Sequence, residues 1–335
     1  MDRDDLIAAL PKVELHVHLE GTLEPDLAFA LARRAGTSLP YASAEQVRSA
    51  YTFADLQSFL DVYYAACSVL LTEQDFYDLT WAYLERAAAD NVRHVEPFFD
   101  PQTHTVRGVP FAAIVEGIGR ALVDGRRDLG ITSRLIMCLL RDLPADDAMR
   151  TLGDALTHRD RIAGIGLDSG EVGNPPSGFV EVYSKARDAG LHLVAHAGEE
   201  GPPAFITDAL DLLGAERIDH GVRCLEDPGL VERLARERVC LTVCPNSNVA
   251  LRVFGTMAGH PLRRMLEAGL CATVNSDDPA YFGGYIGDNY RTVASALNLS
   301  PEQLVTLARN AIDGSFADEA RKRELRSELE AVSAL

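Results

Sequence analysis

Short apolar runs rich in β-branched residues alternate along the chain with longer segments of helical spacing. This alternation is typical of repeated βα units, in which a helix follows each buried strand and covers the sheet. Several helical segments are followed by a glycine, as at Gly190, Gly214 and Gly269, and glycine commonly ends a helix. Eight runs are predicted to be strands: Val13 to Leu19, Val92 to Phe99, Arg134 to Leu140, Ile162 to Asp168, Leu191 to His196, Arg217 to His220, Val239 to Cys244, and Cys271 to Asn275.

Eight strands alternating with helices predict an α/β protein with the (β/α)8 TIM barrel fold, whose working face lies at the carboxyl ends of the strands. A doubly wound sheet is the alternative, disfavoured because no Gly-x-Gly-x-x-Gly motif follows the first run. The stretch from Arg34 to Asn91 is too long for one crossover and predicts a helical insertion between strands 1 and 2. The sequence has no internal repeat or low-complexity linker, so we expect a single domain over residues 1–335.

Composition narrows the choice of partner. The chain has 32 basic and 50 acidic side chains and a formal net charge of -18. This acidity argues against nucleic acid, which requires clustered Lys and Arg. No apolar run is long enough to span a membrane, and the acidic opening residues do not resemble a signal peptide. We expect a cytoplasmic protein that acts on a small molecule; the sequence carries no signal for its oligomeric state.

Histidines and an aspartate occupy the ends of predicted strands. His16 and His18 lie two residues apart in the first run, so both side chains point to the same face. His196 ends the fifth run, and Asp277 follows the eighth. The strand ends meet at one mouth of the barrel, so the three imidazoles and the carboxylate predict a zinc site with one position left for water.

His220 ends the sixth run and leaves two interpretations open. It is either a further ligand or an unligated imidazole that orients or deprotonates metal-bound water. Binuclear sites of this general layout often bridge two metals with a modified lysine at the end of the fourth strand. The only lysines here, Lys12, Lys185 and Lys322, are not at a strand end of that kind. We therefore expect one Zn²⁺ per chain.

Four segments with distinctive residues occur in order along nearly the whole chain. They are Pro11-Lys-Val-Glu-Leu-His-Val-His-Leu-Glu-Gly-Thr, His196-Ala-Gly-Glu, Ile218-Asp-His-Gly and Asn275-Ser-Asp-Asp-Pro. Together they resemble the signature segments of the adenosine and adenine deaminases. The resemblance implies a zinc-dependent (β/α)8 aminohydrolase that acts on a 6-aminopurine, with His16, His18, His196 and Asp277 as zinc ligands.

The resemblance also implies roles for three further side chains. Glu199 would donate a proton to purine N1 and so make C6 more electrophilic. His220 would assist the zinc-bound water, and Asp278 would hydrogen-bond the purine near N7. A carboxylic acid that donates a proton near neutral pH needs a raised pKa, which a water-poor barrel mouth can provide.

Two differences from the adenosine deaminases favour the adenine deaminase branch. Adenosine deaminases usually carry an Asp, placed to reach the ribose, where this chain has Glu20. Their turn after the fourth strand is longer than Ser169-Gly170-Glu171. Glu20, Ser169 and Gly170 are therefore predicted substrate contacts in a pocket for the free base.

The leading prediction is deamination of adenine to hypoxanthine and ammonia in purine salvage. Asn246 and Arg252 differ from typical adenine deaminases. A contact from either to a larger substituent leaves open adenosine, or a larger 6-amino nucleoside such as aminodeoxyfutalosine, although Arg252 could equally form a surface salt bridge.

Two hypotheses from other functional classes fit the sequence less well. A catalytically silent barrel that binds zinc or purine would be expected to lose Glu199, His220 or a metal ligand, and all are present. A binuclear amide or phosphoester hydrolase is weakened by the missing lysine.

Overall fold

The computed structural model of the protein describes residues 2–334, so Met1 and Leu335, the two ends of the predicted domain, lie outside the described residues. Every strand pair in this range is parallel. The strands are β1 (Lys12–Glu14), β2 (Val92–Val95), β3 (Phe98–Phe99), β4 (Thr132–Ser133), β5 (Leu135–Leu140), β6 (Ile162–Asp168), β7 (His192–Ala197), β8 (Arg217–His220), β9 (Cys240–Val243) and β10 (Cys271–Val274).

Two groups of strands together form the barrel wall. One group has the order β10-β9-β8-β7-β6-β5-β3 and the other β1-β2-β4. The chain after β1 joins them, because Val17 pairs with Asp277 on one side and His18 pairs with Phe98 on the other. The eight predicted runs account for nine of these ten strands, since the second run divides into two and β4 lies just before the third run. The prediction of an α/β barrel is confirmed.

Helices follow the strands around the outside of the barrel. Their bounds are α1 (Arg3–Ala9), α2 (Pro25–Ala35), α3 (Ala44–Ser49), α4 (Leu56–Cys67), α5 (Glu73–Ala89), α6 (Pro101–Thr105), α7 (Phe111–Asp128), α8 (Ala145–Leu156), α9 (Val180–Asp188), α10 (Pro203–Asp208), α11 (Pro228–Glu237), α12 (Pro245–Ala250), α13 (Leu262–Glu267), α14 (Pro279–Phe282), α15 (Ile286–Ala296), α16 (Pro301–Gly314) and α17 (Glu319–Ser333).

Four of these helices, α2 to α5, lie between β1 and β2. Helix α4 begins with a capping box, in which the Asp55 side chain accepts from the Ser58 backbone and the Ser58 hydroxyl accepts from the Asp55 backbone. Its apolar face includes the buried Phe59, Leu60 and Tyr63, which line a cavity at the carboxyl ends of the strands. The helix therefore forms one wall of the barrel mouth. No helix within residues 2–334 combines the length and the apolar content needed to cross a membrane.

Candidate active site

The carboxyl ends of three barrel segments bring four predicted metal ligands together. His16 and His18 follow β1, His196 lies near the end of β7, and Asp277 follows β10. All four are buried, and one ligand atom from each lies within 4.8 Å of the others. Alternation along the extended first segment places His16 and His18 on the same side, as their spacing predicts.

The distances between these atoms fit a tetrahedral zinc ion. Asp277 Oδ1 lies 3.1 Å from His16 Nε2 and 3.5 Å from His18 Nε2, and His18 Nε2 lies 3.3 Å from His196 Nε2. Zinc bonds of about 2.0–2.1 Å at tetrahedral angles place neighbouring ligand atoms about 3.3 Å apart. Burial lowers the pKa of His196 well below its usual value, with His16 the next contribution, so the imidazole stays neutral as a metal ligand must.

The hydrogen bonds of His16 determine whether the ring nitrogen that faces Asp277 carries a proton or a lone pair. Thr242 Oγ1 donates to Asp219 Oδ1 at 2.7 Å, so its single proton is already used. It must therefore accept from His16 Nδ1–H, which lies 2.9 Å away. His16 Nε2 then carries a lone pair and makes no hydrogen bond within residues 2–334. A lone pair and a carboxylate oxygen facing each other repel, and a cation between them removes the repulsion.

A carboxyl group also lies near the Nδ1 atom of each of the other two histidine ligands, His196 and His18. Asp219 Oδ2 lies 3.8 Å from His196 Nδ1, and Asp168 Oδ2 lies 3.6 Å from His18 Nδ1. A carboxylate on the far side of a metal-ligating imidazole fixes its orientation and raises its basicity. Sequence reasoning missed these supporting residues, because nothing in their local spacing sets them apart.

We expect Thr242→Val to weaken zinc binding by about 10- to 100-fold, the usual effect of losing a group that orients a ligand. The substitution keeps the side-chain shape and removes the hydroxyl that holds His16. Zinc affinity would be measured by competition with a chromophoric chelator. Thr273→Val is the matched control, because Thr273 is the partner of Thr242 in the β9–β10 register. Equal affinities in the two variants would show that the hydroxyl of Thr242 does not support the site.

Two further groups of possible metal ligands overlap with the four predicted ligands. His220 and Cys244 form an alternative set with His16 and Asp277, and His18, Asp100 and Asp168 form another. Burial raises the pKa of the Cys244 thiol well above its usual value, which disfavours the thiolate that a metal requires.

Glu199, His220 and Asp278 line one cavity with the predicted ligands His18, His196 and Asp277. Burial, and next the Asp277 carboxylate, raises the pKa values of both Glu199 and Asp278 well above the usual range. Burial also lowers the pKa of His220 to about 3. These two carboxyl groups thus favour their protonated form, and the His220 imidazole stays neutral.

Three of the predicted site residues adopt left-handed backbone conformations. The φ angles are 62° at His220, 64° at Asp277 and 69° at Ser169. Such conformations are costly for residues other than glycine and tend to occur where function requires them. Position 21 requires glycine for a steric reason, because a Cβ atom there would lie 1.9 Å from Asp278 Oδ1.

Glu171 holds the loop that carries Glu199. Its carboxylate accepts hydrogen bonds from four consecutive backbone amides, Gly198 to Gly201, at 2.7–2.9 Å. Arg141 supports the same loop by donating to the His196 carbonyl oxygen at 2.7 Å. Glu171 belongs to the turn that the sequence singled out, but its role as a loop anchor was missed because the amides lie on the next βα unit.

The predicted substrate contacts fall in different places. Ser169 lines the cavity, whereas Glu20 and Gly170 are not among its lining residues. Glu20 is buried, and its Oε1 atom accepts from the Asp100 backbone at 3.1 Å and pairs with His104 Nε2 at 2.9 Å. Its other oxygen, Oε2, has no hydrogen-bond partner within residues 2–334. Direct contact of Glu20 and Gly170 with substrate stays a prediction.

Asn246 and Arg252 do not line the cavity either. Asn246 lies in α12, where its backbone amide donates to Asn289 Oδ1 at 3.1 Å. Arg252 is exposed and forms no ion pair with any residue in the range 2–334. The geometry therefore supports neither interpretation that the sequence left open for Arg252.

Comparison with known proteins finds matches over nearly the whole chain. The adenosine deaminase family model matches residues 11–332. The adenine deaminase of Streptomyces coelicolor is 60% identical over 329 residues, covering 98% of this chain and 97% of that protein.

Two solved structures are similar over nearly their whole length. The crystal structure of adenine deaminase from Arthrobacter aurescens has a TM-score of 0.96 at 54% identity, covering 97% of this chain and 100% of that one. The crystal structure of an amidohydrolase from Burkholderia ambifaria with bound Zn has a TM-score of 0.90 at 33% identity, covering 99% and 93%. With a family model that matches almost the entire barrel, this chain belongs to the adenosine deaminase family.

Proposed function

We propose that this protein is an adenine deaminase, a hydrolase that converts adenine and water to hypoxanthine and ammonia. The observation that carries the proposal is one cavity, lined largely by buried residues, that brings Glu199, His220 and Asp278 beside the cluster of three histidines and Asp277. The 60% identity to a relative named adenine deaminase favours adenine within the family.

The four clustered residues His16, His18, His196 and Asp277 fit one zinc ion by donor type, burial and spacing. Zinc bound there would supply a Lewis acid and a water nucleophile near neutral pH. We propose one ion per chain, with these residues as its ligands. Two ions per chain would instead favour a binuclear hydrolase and would implicate the neighbouring Asp100 and Asp168 as additional ligands.

The chain's own residues would prepare the purine for attack. Burial raises the pKa of the Glu199 carboxyl group well above its usual range and favours its protonated form, which can give a proton to N1 as water adds to C6. Asp278 lines the same cavity and would hydrogen-bond the ring near N7. Of the two protons of the attacking water, one replaces the proton that Glu199 gives to N1 and the other goes to the amino group. The amino group then leaves C6 as ammonia, and the oxygen stays on C6 as the carbonyl of hypoxanthine.

The cavity wall suits a flat, uncharged ring. Leu56, Phe59 and Leu60 of α4 face it, with Leu140 and Leu251 from other parts of the barrel. Apolar walls with a few placed polar groups are typical of small-molecule sites. We therefore propose that the partner of this protein is a small purine. We also propose that the chain is one barrel domain and that the protein acts in purine salvage in the cytoplasm.

The first test is a side-by-side assay of adenine and adenosine with zinc-loaded protein, following ammonia release and the ultraviolet change. We expect a much higher kcat/KM for adenine. A preference for adenosine would overturn the choice of substrate and leave the family chemistry in place. Absence of turnover with both would favour a larger 6-amino nucleoside or a silent barrel, and binding of labelled purine would separate these two.

A further inference from the structure

A buried chain of hydrogen bonds reaches His220 from a backbone amide outside the cavity. The chain begins at Leu262, whose N–H donates to His260 Nδ1 at 3.2 Å. A backbone N–H can only donate, so Nδ1 of His260 must be the acceptor nitrogen. Burial lowers the pKa of His260 to about 4, which keeps the ring neutral near pH 7. The single ring proton of His260 therefore lies on Nε2.

The next link fixes the orientation of the Asn248 side chain. His260 Nε2 lies 3.2 Å from Asn248 Oδ1, which accepts the ring proton. With the amide reversed, its NH₂ group would face the N–H of His260, and two donors would oppose each other. The Asn248 NH₂ group is thereby directed at His220 Nδ1, 3.3 Å away.

The last link determines the tautomer of His220. Nδ1 accepts a hydrogen bond from Asn248, so the proton of the neutral ring lies on Nε2. His220 Nε2 faces two acceptors across the cavity, Glu199 Oε2 at 3.6 Å and Asp277 Oδ2 at 3.8 Å. An N–H directed toward the Asp277 carboxylate and an oxygen of the Glu199 carboxyl group is electrostatically favourable, which agrees with the proton position derived from the other end of the chain.

His16 and His220 are thus held in opposite tautomers within one site. Thr242 accepts from His16 Nδ1 and leaves a lone pair on Nε2. Asn248 donates to His220 Nδ1 and leaves a hydrogen on Nε2. The first arrangement suits a metal ligand, and the second suits a hydrogen-bond donor. His220 is therefore poorly arranged to be either a further metal ligand through Nε2 or a base.

We propose that Asn248 and His260 are positioning residues that hold neutral His220 with its proton on Nε2, so that His220 donates a hydrogen bond to the oxygen attacking C6. In this arrangement His220 does not remove the proton of the attacking water. The tautomer follows from the hydrogen bonds that link Leu262, His260, Asn248 and His220, whereas the role toward the oxygen at C6 rests on the proposed function.

Nitrogen-15 NMR of the zinc-loaded, histidine-labelled protein tests the tautomer without any substrate. The His220 signals would be assigned by their loss in His220→Gln. We expect a protonated-type shift for Nε2 and an unprotonated-type shift for Nδ1, at both His220 and His260. The reverse pattern at His220 would overturn the proposal, whatever substrate the enzyme uses.

Asn248→Asp tests the coupling to catalysis. A carboxylate at position 248 accepts from both neighbours, so it still receives the His260 proton but draws the His220 proton onto Nδ1. We expect the NMR signature of His220 to invert, zinc content to be unchanged, and kcat for adenine to fall on the order of 100-fold, as when one transition-state donor is lost. KM is expected to change little.

Asn246→Asp is the matched control, since it adds the same charge to the same helix and Asn246 hydrogen-bonds residues outside the cavity. This control is expected to keep both the wild-type tautomer and turnover. An inverted tautomer with undiminished kcat in Asn248→Asp would overturn the donor role of His220. Failure of adenine turnover in the wild type would overturn the proposed function and leave the NMR result to decide the tautomer.

Discussion

Replacing Asp277 with alanine is expected to abolish zinc binding and turnover together. Asp277 Oδ1 approaches both His16 Nε2 and His18 Nε2, at 3.1 and 3.5 Å. Loss of a group that only supports a ligand already costs about 10- to 100-fold in metal affinity, so loss of the ligand itself should cost more. Metal content per chain after dialysis and ammonia release from adenine measure the two effects.

The backbone at Asp277 calls for a second variant. Its φ of 64° is unfavourable for alanine, whereas asparagine tolerates this conformation better. Asp277→Asn therefore preserves the shape of the segment while exchanging the carboxylate for a weaker ligand. We expect both variants to lose zinc. A zinc-loaded, active Asp277→Asn or Asp277→Ala protein would contradict the assignment of Asp277 as a ligand.

Glu199→Gln is expected to keep zinc and the fold while losing most turnover. The side chain is buried in the cavity, and its backbone is held by Glu171, a contact that the substitution leaves in place. Glutamine has the same shape but cannot supply the proton for N1, and loss of a general acid typically costs about 10²–10⁴-fold in rate. Steady-state kcat and zinc content should be measured on the same preparation.

Glu200→Gln is the matched control for this experiment. Glu200 is the next residue along the loop, is bound to Glu171 through its backbone in the same way, and does not line the cavity. We expect its kcat to stay close to that of the unsubstituted protein. If Glu199→Gln retains full activity, Glu199 is not the acid; if both variants are inactive, the loop rather than the proton is responsible.

Much of the barrel could be predicted from the sequence because parallel strands buried on both faces have a strong apolar pattern. The run Ile162 to Asp168 was placed with the bounds that the structure gives to β6. Divisions within a run were not predictable. The second run breaks at Glu96 and Pro97, where Glu96 turns into the barrel to bind Arg217 and the amide of Phe316, and these partners are far away in sequence.

The rule that the carboxyl ends of barrel strands meet at one face was enough to group His16, His18, His196 and Asp277. The same rule could not tell which of the two asparagines in Cys244-Pro-Asn-Ser-Asn contacts the site. The sequence drew attention to Asn246, but the structure places Asn248 against His220. The choice depends on how α12 is rotated over the barrel, which its six residues do not reveal.

By itself, the sequence determined the barrel, the strand ends that carry the chemistry, and the family, because these depend on local periodicity and on short motifs. Only the tertiary structure decided the state of the histidines. Thr242 and Asp219 reach His16 through the register of neighbouring strands, and Asn248 reaches His220 through helix packing. The hydrogen bond made at one ring nitrogen determines whether the other carries the proton, so its position is determined by neighbours distant in sequence.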